Sequence, residues 1–545
     1  MQDNQKHNTI TEARVERTIV RSASYMALGT FSSRLLGLLR DAILGAFFSR
    51  TVTDAWLVAF RIPNMLRRLF GEGALSVSFI PIFIELMTNP KSKAEGKDFK
   101  LACGVFSLLS LILIVLTALG IIFSEQLVHF IAGEEAYLAI EGKFELTVQM
   151  AQIMFVFCFF ICVYAYYMAI LNAFKKFALA AFAPVLFNVA MIISTLLPAY
   201  MPLHFSSTSL AWGVSIGGFL QMAILIPELI KLKCLPKFSI NIFDSDVLKV
   251  FRNMLPGLLG LGVMQIGLII NTRFASSLEE GANSWIYWAD RVLELPLSLF
   301  AVSLGTALLP TLATHWSKDE KKEMVETANK YLRMIFYVSV PCAIGVWCLA
   351  RPIVDVLFFR GKFTTYDLMN TSSILMIYSV GILSFGGIRV IAPSFYAIKN
   401  TYYPAIVSSI CLVVHYFAAQ YLMESYGING LAASSMISSG LNFILLLIGF
   451  KMLIGDLMLW KLIKSVMKFS AAGVVMMVVI QGYDLLLAYF GETFAVKLIS
   501  LMITIGASVA VYFGMTSMLK TEEYELVFAN LQKKILGRLG IKSKS

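Results

Sequence analysis

Charge is scarce in this sequence. Only 14% of its 545 residues are Asp, Glu, Lys or Arg, where a soluble chain carries about a quarter. That shortfall excludes an ordinary water-soluble globule, and 58% hydrophobic residues with a mean hydropathy of +0.76 take its place. Histidine is almost missing: five residues (His7, His129, His204, His315, His415) are scattered along the chain. With no HExxH or GxSxG run, neither a zinc protease nor a serine hydrolase is encoded. The seven cysteines form no CxxC pair, and most lie inside apolar segments, where they read as small buried hydrophobes rather than redox or zinc groups. A GxxxxGK[ST] loop is absent, which argues against ATP hydrolysis by this chain. Residues 1–25 have no apolar h-region, so no cleavable signal peptide is expected.

Long apolar runs are what the chain has instead. LACGVFSLLSLILIVLTALGIIF (101–123) and LISLMITIGASVAVYFGMTSML (498–519) are two of many. Helices of about 20 residues cross the roughly 30 Å hydrocarbon layer. The expectation is an all-α polytopic membrane protein of about 14 helices, including long, tilted or bent ones at 54–87 and 282–315 and separate ones at 402–422 and 428–450.

The basic residues orient it. Thirty-one of the 45 Lys and Arg fall in segments on the side that holds both termini, six fall on the other side, and eight lie within helices. By the positive-inside rule both termini are cytoplasmic. Several outer loops are acidic, such as EQLVHFIAGEEAYLAIEG (125–142), and none is long enough for an extracytoplasmic catalytic domain. The net charge of +11 therefore marks membrane topology and not a nucleic-acid partner. Residues 520–545 interleave Leu526, Val527, Leu531, Ile535, Leu536 and Leu539 with Lys533, Lys534 and Arg538, the pattern of a basic amphipathic helix on the inner leaflet.

An internal echo organises the rest. VAFRIPNMLRRLFGEGALSVSFIP (58–81) aligns with WADRVLELPLSLFAVSLGTALLP (288–310), placing Arg61 on Arg291; AFKKFALA (173–180) aligns with AIKNTYYP (397–404), placing Lys175 on Lys399. The offsets are similar and the order is kept. This predicts two parallel six-helix lobes, 26–230 and 231–455, with a further helix pair at 456–519. Such lobes hold their ligand near mid-membrane.

The eight helical arginines are Arg34, Arg40, Arg61, Arg67, Arg68, Arg273, Arg291 and Arg389. Each costs roughly 2.5–3.5 kcal/mol at the bilayer centre, so they are expected to face water, counter-ions or a ligand. Arg34 and Asp41 share a helix face with Arg40 alongside; Arg61, Asn64, Arg68 and Glu72 follow i, i+3, i+7, i+11; Asp290 and Glu294 are one turn apart with Arg291 between them. Two readings stand here. A structural ion-pair network would match these acids to the arginines. An anion site would use the excess of arginine, whose planar fork grips phosphate at two points. Pro63, Gly71, Gly73, Pro256, Gly257, Gly386, Gly387 and Pro393 mark expected bends. His415 reads as a hydrogen-bonded core residue rather than a proton relay.

SSRLLGLLRDAILGAFF (32–48), TDAWLVAFRIPNMLRRLFGEGALSVSFIP (53–81), SWIYWADRVLELPLSLFAVSLGTALLP (284–310), FFRGKFTTYD (358–367) and APSFYAIKNTYYP (392–404) resemble the MurJ/MviN family, lipid II flippases of the multidrug/oligosaccharidyl-lipid/polysaccharide exporter superfamily. The resemblance covers roughly 25–450. It implies 14 helices in two pseudo-symmetric lobes, with a final pair forming a groove for the lipid tail. It also implies transfer of undecaprenyl-pyrophosphoryl disaccharide-pentapeptide from the inner to the outer leaflet of the bacterial cytoplasmic membrane. Its functional cavity implies roles for Arg34, Arg40, Asp54, Arg67, Asp290, Arg291 and Glu294; Asp41, Arg61, Arg68, Glu72 and Arg273 join them on the helix-face argument. Ala180 stands where relatives often carry proline. The implied partners are lipid II and membrane lipids, with other cell-wall synthesis proteins as candidates. No cofactor is expected, and the membrane potential or an ion gradient is the expected energy source. An exporter of another polyprenyl-linked glycan or a multidrug antiporter is the alternative, although a cation exporter would want an acidic cavity. A membrane-embedded glycosyltransferase would need paired acids and a large outer loop.

Overall fold

The computed structural model describes residues 28–71, 74–199 and 206–526. Glu72, the first 25 residues and the basic tail beyond residue 526 lie outside them. Every regular element among the described residues is helical. The chain divides into two compact units, residues 1–284 with 360–362, and residues 285–359 with 363–545.

In the first unit the helices are α1 (28–47), α2 (Arg50–Gly71), α3 (Ala74–Thr88), α4 (Pro90–Ala94), α5 (Lys97–Ile122), α6 (Ser124–Ala132), α7 (Glu135–Leu138), α8 (Lys143–Ala173), α9 (Ala178–Leu196), α10 (Ser209–Ala223), α11 (Ile226–Lys231) and α12 (Ser245–Ser276). Helix α8 is the core. Its run VQMAQIMFVFCFFICVYAYYMAIL is apolar on all sides, which is the pattern of a helix surrounded by others, and α2, α3, α5 and α10 all pack on it. Polar tips lock the contacts: Tyr166 Oη donates to Ala102 O at 2.7 Å, Tyr164 Oη to Ala180 O at 3.0 Å, and Ser215 Oγ to Ile153 O at 2.8 Å. Helix α12 packs on α2, α3, α5 and α6, so this unit extends past residue 230.

The second unit begins inside α13 (Ala282–Ser317) and continues through α14 (Lys321–Phe358), α15 (Thr365–Ala397), α16 (Tyr402–Leu453), α17 (Leu459–Ile480), α18 (Gly482–Phe490) and α19 (Phe494–Met518). α14, α15 and α16 form a packed layer, and α17 and α19 lie on α14. Tyr337 is the joint of that contact. Its hydroxyl meets Thr516 Oγ1 at 2.9 Å and its carbonyl accepts from Tyr512 Oη at 2.8 Å. At the other end of α19, Lys497 Nζ bonds Asp355 Oδ2 at 2.7 Å. His415 is buried and shares a hydrogen bond with Ser434 Oγ at 3.3 Å.

Several expected boundaries shift. Of the 54–87 span, the described residues are helical up to Gly71 in α2 and from Ala74 in α3. The 282–315 span is the one helix α13, with Pro296 and Pro310 inside it. The spans 402–422 and 428–450 are, as expected, two helices: both lie within α16, which Gly427 divides with the non-helical torsions φ 54, ψ −130. Pro256 and Gly257 lie within continuous helix, as do Gly386, Gly387 and Pro393. Gly386 and Gly387 instead admit Ile335 of α14 and Phe443 of α16 close to the backbone. Among the described residues nine helices are long and apolar enough to cross a membrane, so fourteen is not the count these residues establish. Charge thins the rest: α2 alone holds Arg50, Asp54, Arg61, Arg67 and Arg68.

The internal echo has a backbone counterpart. After α8, Lys175 turns left-handed (φ 58), with Lys175 N bonded to Asn172 O at 3.0 Å and Lys176 N to Leu171 O at 2.9 Å. After α15, Lys399 does the same (φ 60), with Lys399 N on Tyr396 O at 3.0 Å and Asn400 N on Phe395 O at 2.9 Å. Lys233 after α11 and Lys520 after α19 carry the same torsion and the same paired bonds. This is the left-handed helix stop usually filled by glycine.

Candidate functional site

Helices α1 and α2 concentrate the charge. Residues 28–71 hold six arginines and two aspartates, and the structure shows what each aspartate does.

Asp41 is buried beside Arg40, which is 5% exposed. Arg40 Nη2 lies 2.6 Å and Nε 2.8 Å from Asp41 Oδ1, while Nη1 donates to Asn188 Oδ1 at 3.0 Å. The Asn188 amide on α9 donates to Ser33 O at 2.9 Å, so it ties α9 to α1 and aims the guanidinium. Arg40 is therefore held from two sides. Arg34, two turns earlier on α1, is exposed.

Asp54 is more completely used. Its Oδ2 accepts from Lys143 Nζ at 3.0 Å and from Gly281 N at 2.8 Å; its Oδ1 accepts from Ser284 N at 2.9 Å and Ser284 Oγ at 2.6 Å. Both side chains of the Asp54–Lys143 pair are 2% exposed. Four donors around one carboxylate offset the cost of burying it. Lys143 is set in turn: its Nζ sits 4.3 Å from the centre of the Tyr137 ring, and its carbonyl accepts from Thr147 Oγ1, which meets Tyr137 Oη at 2.7 Å. Asp54 thus anchors the start of α13 and the start of α8 to α2. Thr51 and Thr53 add bonds to Glu280 Oε1 and Ser284 Oγ at 2.5 and 2.7 Å.

Arg61, Arg67 and Arg68 are half-buried on α2. Arg67 Nε donates to Asn64 Oδ1 at 2.9 Å. Arg61, Asn64 and Arg68 keep the predicted helical spacing; Glu72, the fourth member of that face, lies outside the described residues. Arg273, near the end of α12, has a half-exposed side chain and pairs with Glu134 Oε1 at 2.7 Å, with Phe130 O at 3.4 Å. Its partners come from the 130–134 region and not from α1 or α2.

The second unit holds the remaining predicted residues. Arg291 Nη1 lies 3.2 Å from Glu294 Oε2, and Nη2 donates to Tyr287 Oη at 3.0 Å, with the guanidinium 4.9 Å from that ring. Asp290 and Glu294 are exposed. Arg389, also exposed, reaches Leu297 O at 3.3 Å.

Sequence reasoning missed Lys143, Asn188 and Ser284. In the sequence Lys143 is one of the six cations assigned to the side opposite the termini. One signal was available: it is a lone lysine opening a long apolar helix. Its partner, 89 residues earlier, has no sequence signature.

The comparisons with known proteins agree with one another. The family model described as Lipid II flippase MurJ matches residues 43–520. A Bdellovibrio bacteriovorus protein named probable lipid II flippase MurJ is 43% identical over 508 residues, 93% of this chain and 96% of the relative. A Burkholderia cenocepacia lipid II flippase MurJ is 35% identical over 433 residues, 77% of this chain and 82% of the relative. A solved structure described as lipid II flippase MurJ in an inward closed conformation superposes with TM-score 0.75 at 26% identity, covering 91% of this chain and 98% of that one. An inward-facing MATE family transporter of the MOP superfamily shares the fold, with TM-score 0.65 at 17% identity over 77% of this chain and 94% of its own.

Proposed function

This chain belongs to the lipid II flippase MurJ family, and from that membership we infer how a multi-pass membrane protein of this build moves lipid II. The cargo is an anionic diphosphate carrying a sugar-peptide head and a polyprenyl tail. We assign its diphosphate to the arginines of α1 and α2. The observation that carries this is the density of arginine within two helices: residues 28–71 hold six arginines and two aspartates. Arg34 is exposed and Arg61, Arg67 and Arg68 are half-buried, so their guanidinium forks serve the phosphates. Arginine suits this task because it stays charged at membrane depth and offers paired N–H donors to phosphate oxygens.

The first lobe (26–230) supplies this grip. The polyprenyl tail runs along the final helices (456–519), where Met467, Val474, Val478, Met502 and Ile503 are all more than half exposed. Both termini are cytoplasmic. No ATP is consumed; an inside-negative potential drives an anion outward, about 2.3 kcal/mol per charge per 100 mV. Access alternates between the leaflets.

Depletion of this protein followed by a lipid II accessibility assay at the outer leaflet tests the reading. Lipid II reachable from outside should fall while the inner pool rises. Unchanged outer accessibility refutes it.

A further inference from the structure

Residues 232–244 join α11 to α12 without helix, and they turn outward side chains that water disfavours. Phe238 is 73%, Ile240 97% and Phe243 77% exposed. The backbone beneath them is fastened. Lys237 N donates to Cys103 Sγ at 3.3 Å and Ser239 N to Ser107 Oγ at 2.7 Å, both on α5. The Phe238 ring leans on Phe106 at 5.1 Å between centroids. Val247 and the Asn241 carbonyl close over Gly104. A strap held so firmly presents Ile240 and Phe243 by construction.

Its depth follows from α5. Cys103 and Ser107 lie six and ten residues beyond Lys97, the start of the helix, hence about 9–15 Å along it. Lys97 and Lys100 mark the polar end. Apolar side chains of interfacial segments sink about 5–10 Å into the boundary between head groups and acyl chains, and the strap sits beside the first apolar turns of α5, next to that boundary. Exposed cations flank it: Lys233, Lys237, Lys249 and Arg252. Two of the nearby acids have local partners. Asp244 Oδ1 accepts from Asp246 N at 2.9 Å and caps α12, and Glu228 lies 3.5 Å from Lys176 and 3.7 Å from Lys231.

We propose that the 232–244 strap is a binding surface for anionic glycerophospholipid of the inner leaflet, with acyl chains taking Ile240 and Phe243 and head-group phosphates taking Lys233, Lys237 and Lys249. The ligand is the surrounding bilayer lipid and not the transported one. Its side of the membrane rests on the sidedness proposed above, but nanodiscs leave both faces open, so the test does not.

The test uses the full chain with Phe243→p-benzoylphenylalanine, which replaces one exposed ring by another, in phosphatidylcholine nanodiscs with or without phosphatidylglycerol. After illumination, mass spectrometry of the adducts should show phosphatidylglycerol enriched about five-fold over its mole fraction, the factor one lysine contributes at an anionic surface. Adding Lys233→Gln, Lys237→Gln and Lys249→Gln should return the adducts to the mole fraction while keeping their number. Thermal unfolding of each variant shows whether it is folded. Adducts at the mole fraction with the lysines intact overturn the proposal, as does an absence of lipid adduct. Repeating the illumination in native membranes separates the other occupants: predominant capture of lipid II or of a protein there also overturns it.

Discussion

Lys143 Nζ lies 3.0 Å from Asp54 Oδ2, and both side chains are only 2% exposed. One residue opens α8 and the other sits in the first turns of α2, so a single ion pair joins two helices that are 89 positions apart in the chain. Removing one member of a buried pair strands the other charge, at a cost of about 3–5 kcal/mol. Lys143→Met and Asp54→Asn should each lower the thermal midpoint of the detergent-solubilised protein. The double variant should recover most of the loss, because neither charge is then stranded. A double variant as unstable as the sum of the singles would show that the pair is not coupled.

Arg40 and Arg67 differ in what holds them, and this separates stability from transport. Arg40 is buried on Asp41 and Asn188; Arg67 is half-buried and bonded to the neutral Asn64. Arg67→Ala should abolish complementation of a flippase-depleted strain with a smaller loss of stability than Arg40→Ala, since Arg67 is half-buried where Arg40 is buried. Arg40→Ala should abolish complementation and also destabilise by several kcal/mol. Normal growth with Arg67→Ala would remove that residue from the anion site.

How much of this was legible beforehand depends on the range over which each signal acts. Helicity and the membrane environment follow from composition, which acts everywhere along the chain. The echo between Lys175 and Lys399 is a local backbone preference, and it reappears as matching torsions. The Arg61, Asn64, Arg68 spacing is set by one helix. What stayed hidden is tertiary. Nothing local to Asp54 indicates Lys143, and nothing in α1 indicates that Asn188 holds Arg40. Arg273, counted as a helix arginine, finds Glu134 in the acidic outer loop. The break between spans 402–422 and 428–450 was legible, and it falls at Gly427, where the non-helical torsions bend α16 without a long loop.

That bend makes its own test. At φ 54 and ψ −130 a side chain is strained, and no atom lies near where a Cβ would stand. Gly427→Ala should therefore cost about 1–2 kcal/mol through the backbone alone, seen as a lower unfolding midpoint. An unchanged midpoint would mean that α16 straightens freely.

The C-terminal end of the described chain gives a pH dependence. Glu522 accepts from Arg333 Nη2 at 2.8 Å, and this hydrogen bond, with the Arg333 charge, holds its carboxyl below the ordinary glutamate value. A depressed carboxylate pKa stabilises the fold above the unfolded value, and that contribution disappears as pH falls through the folded one. Thermal midpoints should drop below about pH 4, and Glu522→Gln should flatten part of that acid limb. An unaltered limb would assign the drop to other carboxylates.

Four helices end on a left-handed lysine: Lys175, Lys233, Lys399 and Lys520. Glycine would relieve the torsion at each, yet a cation favours the carbonyl-rich helix terminus, and all four belong to the basic set from which the cytoplasmic side is inferred. Punctuation and address are thus written with the same letter. On the sidedness proposed above, exchanging these lysines for glycine in search of a sturdier protein would also remove a cue for which way the nascent chain faces.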